Sequence, residues 1–119
     1  MTTFDFQDGK GPVPAHQHSN GGGWVADTTN VAKTAFIGPD ARVYGNAEVY
    51  GYAHVYGYAR VYEDALVYED ALVFGHAQVY GEAYVYGNAR VYGHAQVYGD
   101  AFVFGNALVY GDALVYGDV

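Results

Sequence analysis

One pattern constrains this chain more than any other. It repeats every six residues, without an insertion, over most of its length. From Ala41 to Asp118 it reads ARVYGN AEVYGY AHVYGY ARVYED ALVYED ALVFGH AQVYGE AYVYGN ARVYGH AQVYGD AFVFGN ALVYGD ALVYGD, thirteen copies of Ala-x-Val-aromatic-Gly-x. Weaker copies precede it as GWVADT, TNVAKT and AFIGPD, so sixteen hexads run from Gly23 to Asp118. A period of six excludes an amphipathic helix, whose apolar stripe recurs every ~3.6 residues. It fits a short strand followed by a corner. Val, Tyr and Phe favour strands, and Gly at the fifth place supplies a positive-φ corner without a Cβ clash. A chain that turns after every hexad winds into a solenoid of parallel strands stacked roughly 4.8 Å apart.

The hexads resemble those of the hexapeptide-repeat superfamily, the left-handed parallel β-helices. Its motif is an aliphatic residue, a small or acidic residue, two variable positions, a small residue and a variable one. Ile37-Gly38-Pro39-Asp40-Ala41-Arg42 fits throughout. Val43-Tyr44-Gly45-Asn46-Ala47-Glu48 fits except at its second position, where all thirteen C-terminal hexads place Tyr or Phe. The Gly-Gly-Trp-Val lead-in is similar to that of uncharacterised bacterial and phage hexapeptide proteins, some labelled as transferases. The resemblance implies an all-β triangular prism of about five coils, left-handed, three hexads per coil, with residues 18 apart stacked. Residues 1–22, which lack the period and contain Pro12, Pro14 and part of the Gly21–Gly23 run, are expected to form an irregular N-terminal cap. Phe4, Phe6 and Trp24 would plug the open end of the core. Residues 23–119 are expected to form the β-helix.

With that stacking, every repeat position becomes a column. The valines (with Ile37) and the alanines two places before them point inward, leaving a narrow interior filled by side chains. The neighbours of each Val point outward, because side chains alternate along a strand. Each face should therefore carry an aromatic ladder, the first being Tyr44, Tyr62, Tyr80, Tyr98 and Tyr116. Stacked rings shield the backbone, and each good pair is worth about 0.5–1.5 kcal/mol. The second face adds an apolar column, so Leu66, Tyr84 and Phe102 lie beside Tyr68, Tyr86 and Phe104. With Leu72 and Leu108 of the third face, these form the expected self-association surface, since large exposed apolar patches usually mean association. Family resemblance implies a trimer of side-by-side prisms. The chain stops in mid-repeat at Gly117-Asp118-Val119. An open β-helix end is an unpaired edge, which suggests end-to-end assembly, blunted by Asp112 and Asp118, or a longer parent chain.

Chemistry-bearing residues are sparse. The 119 residues contain no Cys, which excludes a disulfide framework, a thiolate zinc site and a cysteine nucleophile. Thirteen acids against five Lys plus Arg give a net charge of −8, which argues against nucleic-acid binding through phosphates. No basic n-region opens the chain and no apolar run is long enough to span a bilayer, so a cytoplasmic protein, without membrane contact, is expected, with a phage or virion origin as an alternative. No cofactor is implied. His54, His76 and His94 are the candidate catalytic residues of an alternative reading, a trimeric hexapeptide enzyme of the acyltransferase or metal-dependent kind with its site between subunits. His76 and His94 stack on adjacent coils, as do Asp64, Glu82 and Asp100, and either group is a candidate metal site. His16-Gln17-His18 lies outside the repeat and reads as part of the cap. The extruded loop, C-terminal helix and polyphosphate-binding bases of the acyltransferases have no counterpart here. A third reading is an acidic surface that occupies a basic partner. Glu63 and Glu69 replace the corner Gly in consecutive hexads, at an expected cost of about 1 kcal/mol each.

Overall fold

The computed structural model describes residues 2–117. Asp118, placed by the repeat in the first corner column, and Val119 lie outside them. The described chain is all strand and turn. Each hexad contributes one short strand at its x-Val pair, from Trp24–Ala26 to Leu114–Gly117. The strands stack in parallel into three sheets, with Cα partners 18 residues apart, as in Leu66↔Tyr84, Leu72↔Arg90 and Gln78↔Gln96. The result is a β-solenoid of about five turns. Its first face stacks the strands containing Val25, Val43, Val61, Val79, Val97 and Val115. The second stacks those of Val31 to Val103, and the third those of Ile37 to Val109.

The inward columns form one continuous core. Val43 to Val97 and Ala41 to Ala95 have no exposed surface at any repeat position. Apolar burial of this kind is worth about 1.5–3 kcal/mol per Val-sized side chain. Corner geometry follows the expectation. Gly57 has φ 65°, and a Cβ there would lie 2.9 Å from the Gly75 nitrogen of the next coil. The corner therefore needs both the positive φ and the missing side chain.

The segment before the repeat differs from the irregular plug expected of it. Strands β1 (Thr3–Asp5) and β2 (Pro12–Gln17) pair as an antiparallel hairpin, and β2 pairs antiparallel with β3 (Trp24–Ala26), extending the first sheet to eight strands. Phe4, Phe6 and Trp24 do not enter the end of the prism. Phe4 stacks on Trp24, and Phe6 stacks on Tyr44 with ring centroids 4.9 Å apart, over the outside of the first face. The reason lies in the repeat: Ala26 stands where later hexads carry Tyr or Phe, and Phe6 packs beside it at the head of the ladder. Edge bonds at the N-terminal end of the third face go instead to residues 18–23. The Ile37 amide donates to the Asn20 carbonyl, the Gly23 amide donates to the Ile37 carbonyl, and buried His18 donates Nε2–H to the Ala35 carbonyl at 2.9 Å.

Candidate functional site

The functional candidates are the outward columns, and each face presents a different one. On the first face the ladder runs Phe6, Tyr44, Tyr62, Tyr80, Tyr98, Tyr116 with nearly parallel rings. Two of its hydroxyls donate within the face: Tyr62 to Gln78 Oε1 at 2.9 Å and Tyr80 to Gln96 Oε1 at 2.8 Å. The hairpin covers the start of this face. Arg60 donates to the Phe6 carbonyl at 2.9 Å, and the Arg42 guanidinium lies 4.9 Å from the Phe4 ring centroid. Tyr44 is buried, contrary to the expectation that every ladder ring is a surface group. Burial pushes the Tyr44 and Tyr62 phenols up.

The second face is uncovered by the hairpin and carries two apolar columns over three coils. Tyr68, Tyr86 and Phe104 stack in one, with centroids 4.8 and 5.4 Å apart. Leu66, Tyr84 and Phe102 form the other, Tyr84 and Phe102 lying 4.9 Å apart. Phe102 and Phe104 are exposed, the other four half-buried by their own stacking. The third face has a ladder of Tyr56, Phe74, Tyr92 and Tyr110. Its other column mixes half-buried Leu72 and exposed Leu108 with exposed His54 and Arg90.

Corners carry the polar groups. At the first corner, between the first and second faces, Asp64, Glu82 and Asp100 line an open groove of about 460 Å³ with Tyr84 and Phe102. A hydrogen bond with Asp100, and then the Asp100 charge, hold the Glu82 carboxyl above its ordinary range, with burial and Asp64 adding to the shift. The one ion pair among the described residues is elsewhere, His16 Nδ1 to Asp27 Oδ1 at 2.7 Å. At the third corner, Tyr58, His76 and His94 stack at 5.1 and 5.0 Å. With Arg60, Gln78 and Gln96 they line a groove of about 390 Å³.

The histidines read as candidates are not gathered into one site. His54 lies on the third face, stacked on Phe36, with Nδ1 donating to the Tyr52 carbonyl at 2.9 Å. His76 and His94 do stack, with rings 8° from parallel. Their nitrogens therefore lie in two parallel planes, and both rings would have to leave the stack to converge on a shared ion. Among the described residues, no group of three or more His, Asp or Glu side chains is arranged to hold a metal.

Glu63 and Glu69, the two breaks in the corner-Gly rule, are tied to the next coil. Both take positive φ, 58° and 59°. Each carboxylate accepts a hydrogen bond from the corner amide one coil on, Gly81 at 2.8 Å and Gly87 at 2.9 Å. Thr28 and Thr34 make the reverse contact at earlier corners, donating to the Gly45 and Gly51 carbonyls. The signal available in the sequence was the 18-residue offset to a glycine with a free amide.

Four stretches of the chain, residues 41–57, 77–93, 83–99 and 95–109, match a family model described as the YdcK Beta solenoid repeat. The match covers less than half of the chain and speaks to the repeat. No curated protein and no solved structure matches significantly. Together with the three parallel sheets, the match makes this a β-solenoid repeat protein.

Proposed function

We propose that this solenoid is a structural or interaction module whose work is self-association through its aromatic and apolar outer faces. The observation that carries this reading is the second face. It presents two adjacent apolar columns, Leu66-Tyr84-Phe102 and Tyr68-Tyr86-Phe104. The hairpin covers the start of the first face, whose second column is the polar Arg42, Arg60, Gln78 and Gln96 beyond Trp24, and polar His54 and Arg90 interrupt the third. A two-column apolar strip is larger than the scattered apolar residues of an ordinary surface, and such patches mark contact sites. The regularity of the hexads supports the same reading, because an active site usually disturbs its scaffold locally. Sedimentation velocity of the Leu66→Asp/Phe102→Asp variant tests it. Loss of association relative to wild type, with the β-sheet circular dichroism unchanged, is the expected outcome. An unchanged sedimentation coefficient would count against the second face as the contact.

A further inference from the structure

Each aromatic ladder starts one coil later than the solenoid does. At the ladder position the first coil carries Ala26, Ala32 and Gly38, one coil before Tyr44, Tyr50 and Tyr56. The first ring of every ladder therefore has a repeat ring on one side only. On the first face Phe6 fills the gap from outside the repeat, stacking on Tyr44 with centroids 4.9 Å apart and leaving Tyr44 6% exposed. On the third face Gly38 is buried and Tyr56 half-buried. The second face keeps its gap. Tyr50 stacks on Tyr68 at 4.9 Å, and no other ring and no cation lies over it among the described residues. It is 38% exposed, while Tyr68 and Tyr86 in the same column are half-buried. Tyr44 and Tyr50 are equivalent by repeat and differ in having a cover.

The floor of the gap is Ala32, whose amide donates to the Val49 carbonyl at 2.8 Å. The space over it is one coil tall, about 4.8 Å, which one flat group fills. Charge narrows the choice of group. Arg42 and Glu48 hold the same repeat position beside Tyr44 and Tyr50. On the first face the Arg42 guanidinium lies 4.9 Å from the Phe4 ring centroid, so a cation there accompanies neutral rings from the hairpin. On the second face the charge is reversed. Glu48 forms no ion pair among the described residues, and its strand partner one coil earlier is the exposed Asn30. Burial first and the Glu48 charge next raise the Tyr50 phenol, so this carboxylate bears directly on the ring. The gap asks for flatness and Glu48 asks for positive charge. A neutral ring meets only the first demand and a lysine ammonium only the second. Among side chains, the guanidinium of arginine meets both at neutral pH, stacking on an aromatic face while pairing with a carboxylate.

We propose that the head of the second ladder is a binding site for an arginine side chain of a protein partner, its guanidinium stacked on Tyr50 over Ala32 and paired with Glu48. The site lies N-terminal to the apolar strip that begins at Leu66 and does not depend on self-association.

NMR of the folded chain tests it, with a blocked Gly-Arg-Gly peptide as the probe and Gly-Lys-Gly as the control. The arginine δ protons should move upfield, saturably, as they enter the Tyr50 ring current. The lysine peptide should bind at least about threefold more weakly, and Glu48→Gln should weaken the arginine peptide by a similar factor. Ala32→Tyr supplies the ring that every later coil carries. It should stack on Tyr50, raise the melting temperature by a few degrees and abolish the arginine shift. Equal binding of the lysine peptide would reduce the effect to attraction by an acidic surface and overturn the site. So would an arginine shift that survives Ala32→Tyr, or an Ala32→Tyr chain that melts lower than wild type, because the gap would then not be ring-shaped. Tyr50 signals that shift when the chain alone is concentrated, and no longer do so in Arg90→Gln, would assign the gap to a second copy and overturn an outside partner.

Discussion

Glu63 shows how a residue that breaks the repeat can still support it. Its positive φ costs about 1 kcal/mol relative to Gly, while a hydrogen bond to a charged group contributes about 1.5–3 kcal/mol when shielded and less at an exposed corner. Glu63→Ala keeps the strain and loses the bond to Gly81, so urea unfolding should show a loss of about 1 kcal/mol. Glu63→Gly relieves the strain and should lose less. Glu82 tests the opposite sign. Its carboxyl is held above its ordinary value of 4.5 by Asp100, so the folded chain keeps that proton to higher pH than the unfolded chain. Stability is therefore greatest below the ordinary value and is lost as pH rises through the folded one. Thermal melts should find Glu82→Gln more stable than wild type at neutral pH, with the difference shrinking as pH falls to about 4. Inward residues, ladders and register were all legible at this scale, because a strict period turns one assignment into every assignment. The Glu63–Gly81 and Tyr62–Gln78 bonds were not, because nothing in a column assignment says which of two outward neighbours a flexible side chain will reach.

The two kinds of element, hairpin and ladder, differ in legibility for the same reason. Residues 3–17 lack the period, and their fate turned on Ala26, a gap in the ladder that Phe6 fills from outside the repeat. Phe6→Ala should expose Tyr44 and free the hairpin. Hydrogen exchange should rise across residues 3–17 and at Tyr44, while Ala65–Val91 remains protected, since local opening in a solenoid need not spread. On the ladders, desolvation raises the phenols of Tyr44, Tyr50, Tyr62, Tyr68 and Tyr80. Their folded values lie above the unfolded one of 10.0, so the associated stability is complete below pH 10 and is lost as the phenols ionise. Alkaline titration should show phenolate absorbance rising together with loss of β-sheet signal.

For the molecule as a whole, stability is a sum over neighbouring coils, and the proposed function lies in what the three faces offer to another surface. With the start of the first face under the hairpin and its second column polar at Arg42, Arg60, Gln78 and Gln96, and with the third face interrupted by His54 and Arg90, the second is the continuous apolar strip. The fold was readable because the interior is one repeated contact, and the function was not, because a flat aromatic face can either shield its own backbone or meet a partner. Light scattering after size exclusion, over a concentration series at neutral pH, separates these most directly. Self-association predicts a mass that rises with concentration above the 12.9 kDa of a single chain. A mass fixed at 12.9 kDa at every concentration would contradict it and leave the ladders as backbone shielding alone.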